Sequence, residues 1–288
     1  MTLDAFIKDA WHDHGDDPQG VAERLRASLD LIQCADDFAP YARLVTHVFG
    51  EHLMQPGTGI ALLESLRDLP AFDGTAAASK PLLRAIATLQ LVGQVPTALE
   101  GLDNEDRVCA LTVASVIYQA RNAIDLAVDA LERALDAVQP GWHAGSAAHR
   151  ALAIAGNNLA AALEEKVDRT PSQTQAMLVA AKTGLTYWKL AGSWLEEERA
   201  EYRLTRCLLQ VGEPQLALES AQRCQAVCQR NDALAFELFF AQAVLALACR
   251  AAGDPTAFAA HREAALLSYG QIPEDDQAWC SQELGELG

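Results

Sequence analysis

SWLEEERAEYRLTRCLLQVG (193–212) runs into EPQLALESAQRCQAVCQRN (213–231), and DALAFELFFAQAVLALACRAAG (232–253) runs into DPTAFAAHREAALLSYG (254–270). The two pairs read as copies of one unit: a helix-period apolar pattern, a Gly-Glu/Asp-Pro turn, and a second helix-period pattern. The turn residues Gly212 and Gly253 stand one unit apart, roughly 40 residues. A helical hairpin repeated at fixed spacing predicts a stacked array rather than a globule around one cleft. The expected fold is therefore all-α, an α-α superhelix (solenoid) of about six helical hairpins.

Composition agrees with that reading. Of 288 residues half are hydrophobic and only 6% aromatic. Ala and Leu, strong helix formers, supply most of the apolar content, and runs of β-branched residues that would favour a sheet are nearly absent. The formal net charge is −17, which repels nucleic acid and anionic membrane surfaces. Seven Cys without a CxxC pair, mostly in apolar helical patterns, fit reduced and buried thiols. The opening residues MTLDAFIKDAWHDHGDD lack the basic-then-apolar form of a secretion signal. The longest apolar stretch, ALAFELFFAQAVLALACRAAG, is interrupted by Glu237 and Gln242. These features predict a cytoplasmic chain.

Breakers and periodicity place the earlier helices. Expected are Leu3–Asp13, Gln19–Gln33 behind Asp16-Asp17-Pro18, and one helix from Asp36 to about Leu53, broken by Pro56-Gly57. Ile60–Leu69 and Thr75–Val92 follow. Residues 93–106 read as turn-rich, with a return helix that is at best a stub. Asn104–Gln119, Asn122–Val138, Ala144–Lys166 and Thr174–Leu190 complete the set, and a last helix, Glu274–Leu284, reads as a polar cap. Pro140-Gly141 marks a seam, so residues 1–140 are expected as irregular hairpins and 141–288 as regular ones within one continuous solenoid.

Leu204, Leu208 and Gly212 precede Ala217, Ala221 and Cys224, while Leu245, Cys249 and Gly253 precede Ala257 and Ala265. GNNLAAALEE (156–165) has the asparagine-leucine-alanine form of a first helix, and Asn122 with Ala127, Leu131 and Ala134 the form of a return helix. Over about 103–269 the chain thus resembles the tetratricopeptide repeat. Its units are longer, about 40 residues against about 34, and most of the consensus tryptophan, tyrosine and final proline are missing. The resemblance implies a right-handed superhelix with first helices lining a concave face, and it implies protein binding rather than catalysis.

Candidate site residues follow from one stripe. Arg199, Tyr202, Arg203 and Arg206 are spaced three and four apart on a first helix, and Asn157 with Asn158 hold the corresponding stripe of the preceding one. Guanidinium forks beside amide donors suit a carboxylate, so the expected partner is another protein or a peptide with a carboxylate or acidic segment. Phe240 and Val244 would add apolar contact. The competing reading is a solvated face, with Glu196, Glu197, Glu198 and Glu201 neutralising the arginines. WHDHGDD (11–17) gathers His12, His14 and three Asp, but histidines two apart point to different sides of a helix, and the acids suffice as caps. His47 and His52, five apart, match no ligand spacing. Glu164-Glu165 reads as a solvated helix end, Cys224 and Cys228 as a buried seam, and Tyr187, Trp188 and Trp194 as packing. No catalytic motif, cofactor or metal site is expected. Open alternatives are a regulatory or sensor module binding a small ligand or signalling peptide, a metal-dependent enzyme in the N-terminal half, and self-association into a homodimer.

Overall fold

A computed structural model describes residues 1–143 and 145–288. Among the described residues it is helical without strands, adjacent helices pack in pairs, and no helix is long and apolar enough to cross a membrane. It forms two compact units, Met1–Trp142 and His143–Gly288.

In the first unit, α1 (Leu3–Asp13) and α2 (Pro18–Ala27) begin where the sequence supplies caps. Thr2 Oγ1 accepts from the Ala5 amide at 3.3 Å, and the Asp17 carboxylate accepts from the Gly20 amide at 2.8 Å with Pro18 in the first turn. α2 stops at Ala27 instead of reaching Gln33. Its Leu25 carbonyl is taken by the Ser28 and Tyr41 hydroxyls, and a 3₁₀ turn over Leu29–Leu31 replaces the last α turns. The helix expected over 36–53 is α3 (Phe38–His47) followed by a single π turn, Val48–His52, in which the Leu53 amide donates to Val48 O at 2.9 Å. Pro56 opens α4 (Pro56–Ser65) rather than merely breaking its predecessor. α5 (Ala76–Val92) completes a core that encloses Phe6, Leu25, Phe38, Tyr41, Phe49, Leu63 and Leu82, all essentially inaccessible. Each such side chain contributes roughly 1.5–3 kcal/mol by leaving water. Residues 93–103 turn without a helix. α6 (Asn104–Ala120) therefore packs directly on α5, and the Tyr118 hydroxyl donates to Leu91 O at 2.7 Å. α7 (Ile124–Asp136) returns along α6 through Ala127, Ala130, Leu131 and Ala134.

The second unit holds α8 (Ala147–Glu165), α9 (Pro171–Ala191), α10 (Trp194–Gln210), α11 (Pro214–Arg230), α12 (Ala235–Ala251) and α13 (Pro255–Tyr269). Ala144, the expected start of α8, lies outside the described residues. α8 and α9 meet backbone to backbone: a Cβ on Gly156 would sit 2.7 Å from both Ala180 O and Gly184 N. Glycine at 156 is thus a packing requirement of this hairpin.

One cap recurs in both units. The amides of Val95, Ala123, Glu213 and Asp254 donate five residues back to Gln90, Tyr118, Leu208 and Cys249, at 2.8–3.0 Å. The residue before each amide is left-handed: Gln94 and Asn122 (φ 58°), Gly212 (75°) and Gly253 (81°). After α3 the same cap is built on Met54 (φ 54°), but the Gln55 amide reaches six residues back to Phe49 O. The π turn has inserted one residue without destroying the cap.

The last helix differs from expectation. It is split into α14 (Glu274–Gln277), a 3₁₀ turn and α15 (Ser281–Leu287). Nor is it simply polar: Ile272, Cys280 and Leu287 are buried with Phe239, Ala243, Leu247 and Ala265.

Candidate functional site

α8 and α12 both lie against α10, so the first helices of this unit do adjoin. The stripe on α10 consequently meets side chains from both neighbours and from α15. Arg203 is ion-paired to Glu164 on α8. Arg206 Nε donates to the other oxygen of Glu164 at 2.7 Å, while its two terminal nitrogens donate to Glu286 at 2.7 and 2.9 Å, a bidentate fork. The Tyr202 hydroxyl donates to Glu283. Arg199 alone on the ladder stays exposed, at 58% of its side-chain surface, with a 3.4 Å pair to Glu237.

Burial opposes charge on Arg206, but the hydrogen bonds to Glu286 and Glu164 outweigh it and hold the guanidinium firmly protonated. Burial, reinforced by Glu283, pushes the Tyr202 phenol well above its ordinary value. Burial would raise Glu286, and Arg206 holds it below the usual range instead. The ladder is thus neither an open row of cations nor a solvated face. Its inner end is an internal ion network that grips the acidic helix α15.

The acids expected to neutralise the ladder do other work. Glu196 closes a capping box with Ser193, accepting from its amide at 2.8 Å. Glu197 lies 3.8 Å from Lys189. Glu201, wholly buried, accepts from Lys189 and Arg223 at 3.0 Å and from the Ser220 hydroxyl at 2.7 Å. Glu198 is 2% exposed, and the Cys224 thiol lies 3.3 Å from its carboxyl. Burial raises its pKa to about 7. Glu164, expected at a solvated end, is buried, while its neighbour Glu165 is exposed. Glu164 follows Asn157 by two helical turns, so it shares the stripe that faces α10.

Four of the six anticipated residues, Asn157, Arg199, Tyr202 and Arg203, line one cleft of ≈ 240 Å³. Phe236 and Phe240 form its apolar wall, and Glu198 and Glu237 add carboxyls. Tyr202 meets Phe240 edge to face at 5.7 Å, which orders the wall. Asn158 and Arg206 are outside this lining, and Val244 is buried in the core. Spacing alone indicated the α10 stripe. Sequence spacing did not reveal Phe236 and Glu237 in this lining, because their place depends on how α12 leans on α10, whereas Glu198 was expected beside the arginines.

Elsewhere, Tyr187 stacks on His149, and Arg150 lies over the Trp188 ring at 5.2 Å, so both aromatics are packing groups. Six Cys are free and buried, Cys224 and Cys228 among them, and Cys34 is exposed. The WHDHGDD stretch disperses. His12 is exposed, Asp13 pairs with Arg24 at 2.7 Å, and Asp17 caps α2. His14 turns inward to meet His47 and His52, a cluster that spacing along the sequence did not reveal. No family model matches this chain, and no curated protein matches it.

Proposed function

We propose that the protein is a non-catalytic binding module, a helical-repeat scaffold of the tetratricopeptide-repeat kind, that takes a peptide segment against α8, α10 and α12. The observation that supports this most is the cleft lined by Asn157, Arg199, Tyr202, Phe236 and Phe240. It pairs an amide and an exposed guanidinium with an aromatic wall, which suits a carboxylate flanked by an apolar side chain. The helix α15 provides an internal precedent. Its Glu283 and Glu286 are read by Tyr202 and Arg206, while Leu287 is buried beside Phe239 and Leu247. The peptide would present the same acidic-aliphatic chemistry to the open end of the stripe.

Arg199→Gln tests this outside the Arg203–Arg206 network, because Arg199 makes a long pair to Glu237 and a weak electrostatic contact with Glu198 and none with Glu164, Glu283 or Glu286. Affinity capture from native lysate should lose a specific partner in Arg199→Gln and in Phe240→Ala, with the melting temperature of Arg199→Gln nearly unchanged. Capture of the same proteins by the original chain and by both variants would sink the reading.

A further inference from the structure

We propose that His14, His47 and His52 form a binding site for one divalent transition-metal ion of the zinc class. One ring nitrogen from each residue can be chosen so that all three lie within 4.8 Å of one another. The three rings make a nearly equilateral triangle, with centroids 4.8, 4.8 and 5.0 Å apart. His47 Nε2 and His52 Nε2 are 3.1 Å apart. Two imidazoles bound tetrahedrally at about 2.0–2.1 Å would place their nitrogens ~3.4 Å apart, so this pair already stands near ligand spacing.

The hydrogen bonds fix which nitrogens are available. His14 Nδ1 lies 2.7 Å from Trp11 O, and a carbonyl can only accept, so Nδ1 carries the proton and Nε2 keeps its lone pair. His47 Nδ1 lies 3.1 Å from the Glu51 carboxylate, which sets the same tautomer. Two of the three rings therefore have the carbonyl or carboxylate partner that metal-bound histidines use to hold their orientation and increase their basicity. Without metal, His52 Nε2–H donates to His47 Nε2 at 3.1 Å, and a bound ion would displace that proton.

The backbone supplies an independent argument. On a regular α-helix, residues five apart diverge by about 140°. Here the single π turn over Val48–His52 inserts one residue and brings His52 round onto the side of His47. The cap on Met54 is retained around that insertion, so the fold accommodates the extra residue at the one helix end where it unites two imidazoles. The rings are half-buried, with Trp11 against His14 and His47 at 5.1 and 4.8 Å, so the cluster is partly shielded from solvent. An all-imidazole donor set selects zinc, copper, nickel or cobalt over magnesium and calcium, which take oxygen ligands.

The test uses the full chain, stripped of metal by chelation. Titration with Zn²⁺ is expected to show one saturable site, and Co²⁺ to give the intense visible ligand-field bands of a low-coordinate complex. His14→Ala and His52→Ala should each weaken Zn²⁺ binding by at least about tenfold, and Glu51→Gln by about tenfold. His12→Ala, which alters an exposed histidine of the same stretch, should leave it unchanged. The proposal is overturned if the unmodified chain shows neither one-site Zn²⁺ binding nor the Co²⁺ bands, a result independent of whether any variant folds. It is equally overturned if His12→Ala weakens binding as much as His52→Ala.

Discussion

In the unit Met1–Trp142 three imidazoles meet beside one carboxylate, Glu51. In the unit His143–Gly288 arginines 203 and 206 meet Glu164, Glu283 and Glu286, so that opposite charges answer one another. The difference is instructive because formal charge pointed the other way. In a chain of net charge −17 the arginine stripe looked like the available cation surface, and the histidines looked incidental. Folding consumed the inner cations of the stripe in ion pairs and brought three imidazole rings together. Available chemistry therefore has to be counted after internal partners are subtracted.

The largest expected effect tests the closed side of that contrast. Arg206→Ala leaves Glu164 held by Arg203 alone and removes the fork that holds Glu286. Loss of one partner from a buried pair costs about 3–5 kcal/mol, read as a lower urea midpoint. His47→Ala in metal-free protein should cost less than about 1 kcal/mol, since that ring is only half-buried. Equal losses would erase the distinction between a framework network and an open cluster.

Glu198 sharpens the same contrast, because it is a buried acid with a thiol rather than a guanidinium as its partner. Its folded pKa of about 7 exceeds its ordinary 4.5, so the folded chain keeps this proton to higher pH than the unfolded chain. The sign follows: the stabilisation is complete below about pH 4.5 and is lost as pH rises through 7, a change of about 3 kcal/mol. Glu198→Gln should remove that slope and make the variant more stable than the original chain at pH 8. Parallel stability curves from pH 5 to 8 would contradict the assignment.

The smallest effects compare the caps. Gly212→Ala, forced to φ 75°, should cost about 1 kcal/mol. Met54→Gly relieves a left-handed side chain and should gain no more than a few tenths of a kcal/mol, because the unfolded chain becomes more flexible. Thermal melts of the two variants check both signs. If Met54→Gly instead destabilises the chain, that cap is held by its side chain and not by backbone geometry.

Much of the helical plan was legible because caps and periodicity are local. Asp17-Pro18 and Gly212-Glu213-Pro214 each mark a helix end with groups a few residues apart, whereas the capping box of Ser193 with Glu196 emerged only in the structure. The α10 stripe was legible for the same reason. The π turn at Val48–His52 was not, since Val45, Val48 and Phe49 keep α-helical spacing and carry no local sign of an inserted residue. Gln94 and Met54 also hid their caps by occupying left-handed positions without being glycine.

The sequence by itself determined the all-helical class, most helix ends and the positions of the chemically interesting side chains. Only the tertiary structure decided which of them found partners. Glu164 and Arg206 are 42 residues apart, Glu286 lies 80 from Arg206, and His14 reaches His47 across the whole of α2. Periodicity fixes the face a residue occupies on its own helix. The packing of that face against another helix, and a one-residue change of pitch just after α3, decide whether it becomes an ion pair, a cleft wall or a metal ligand.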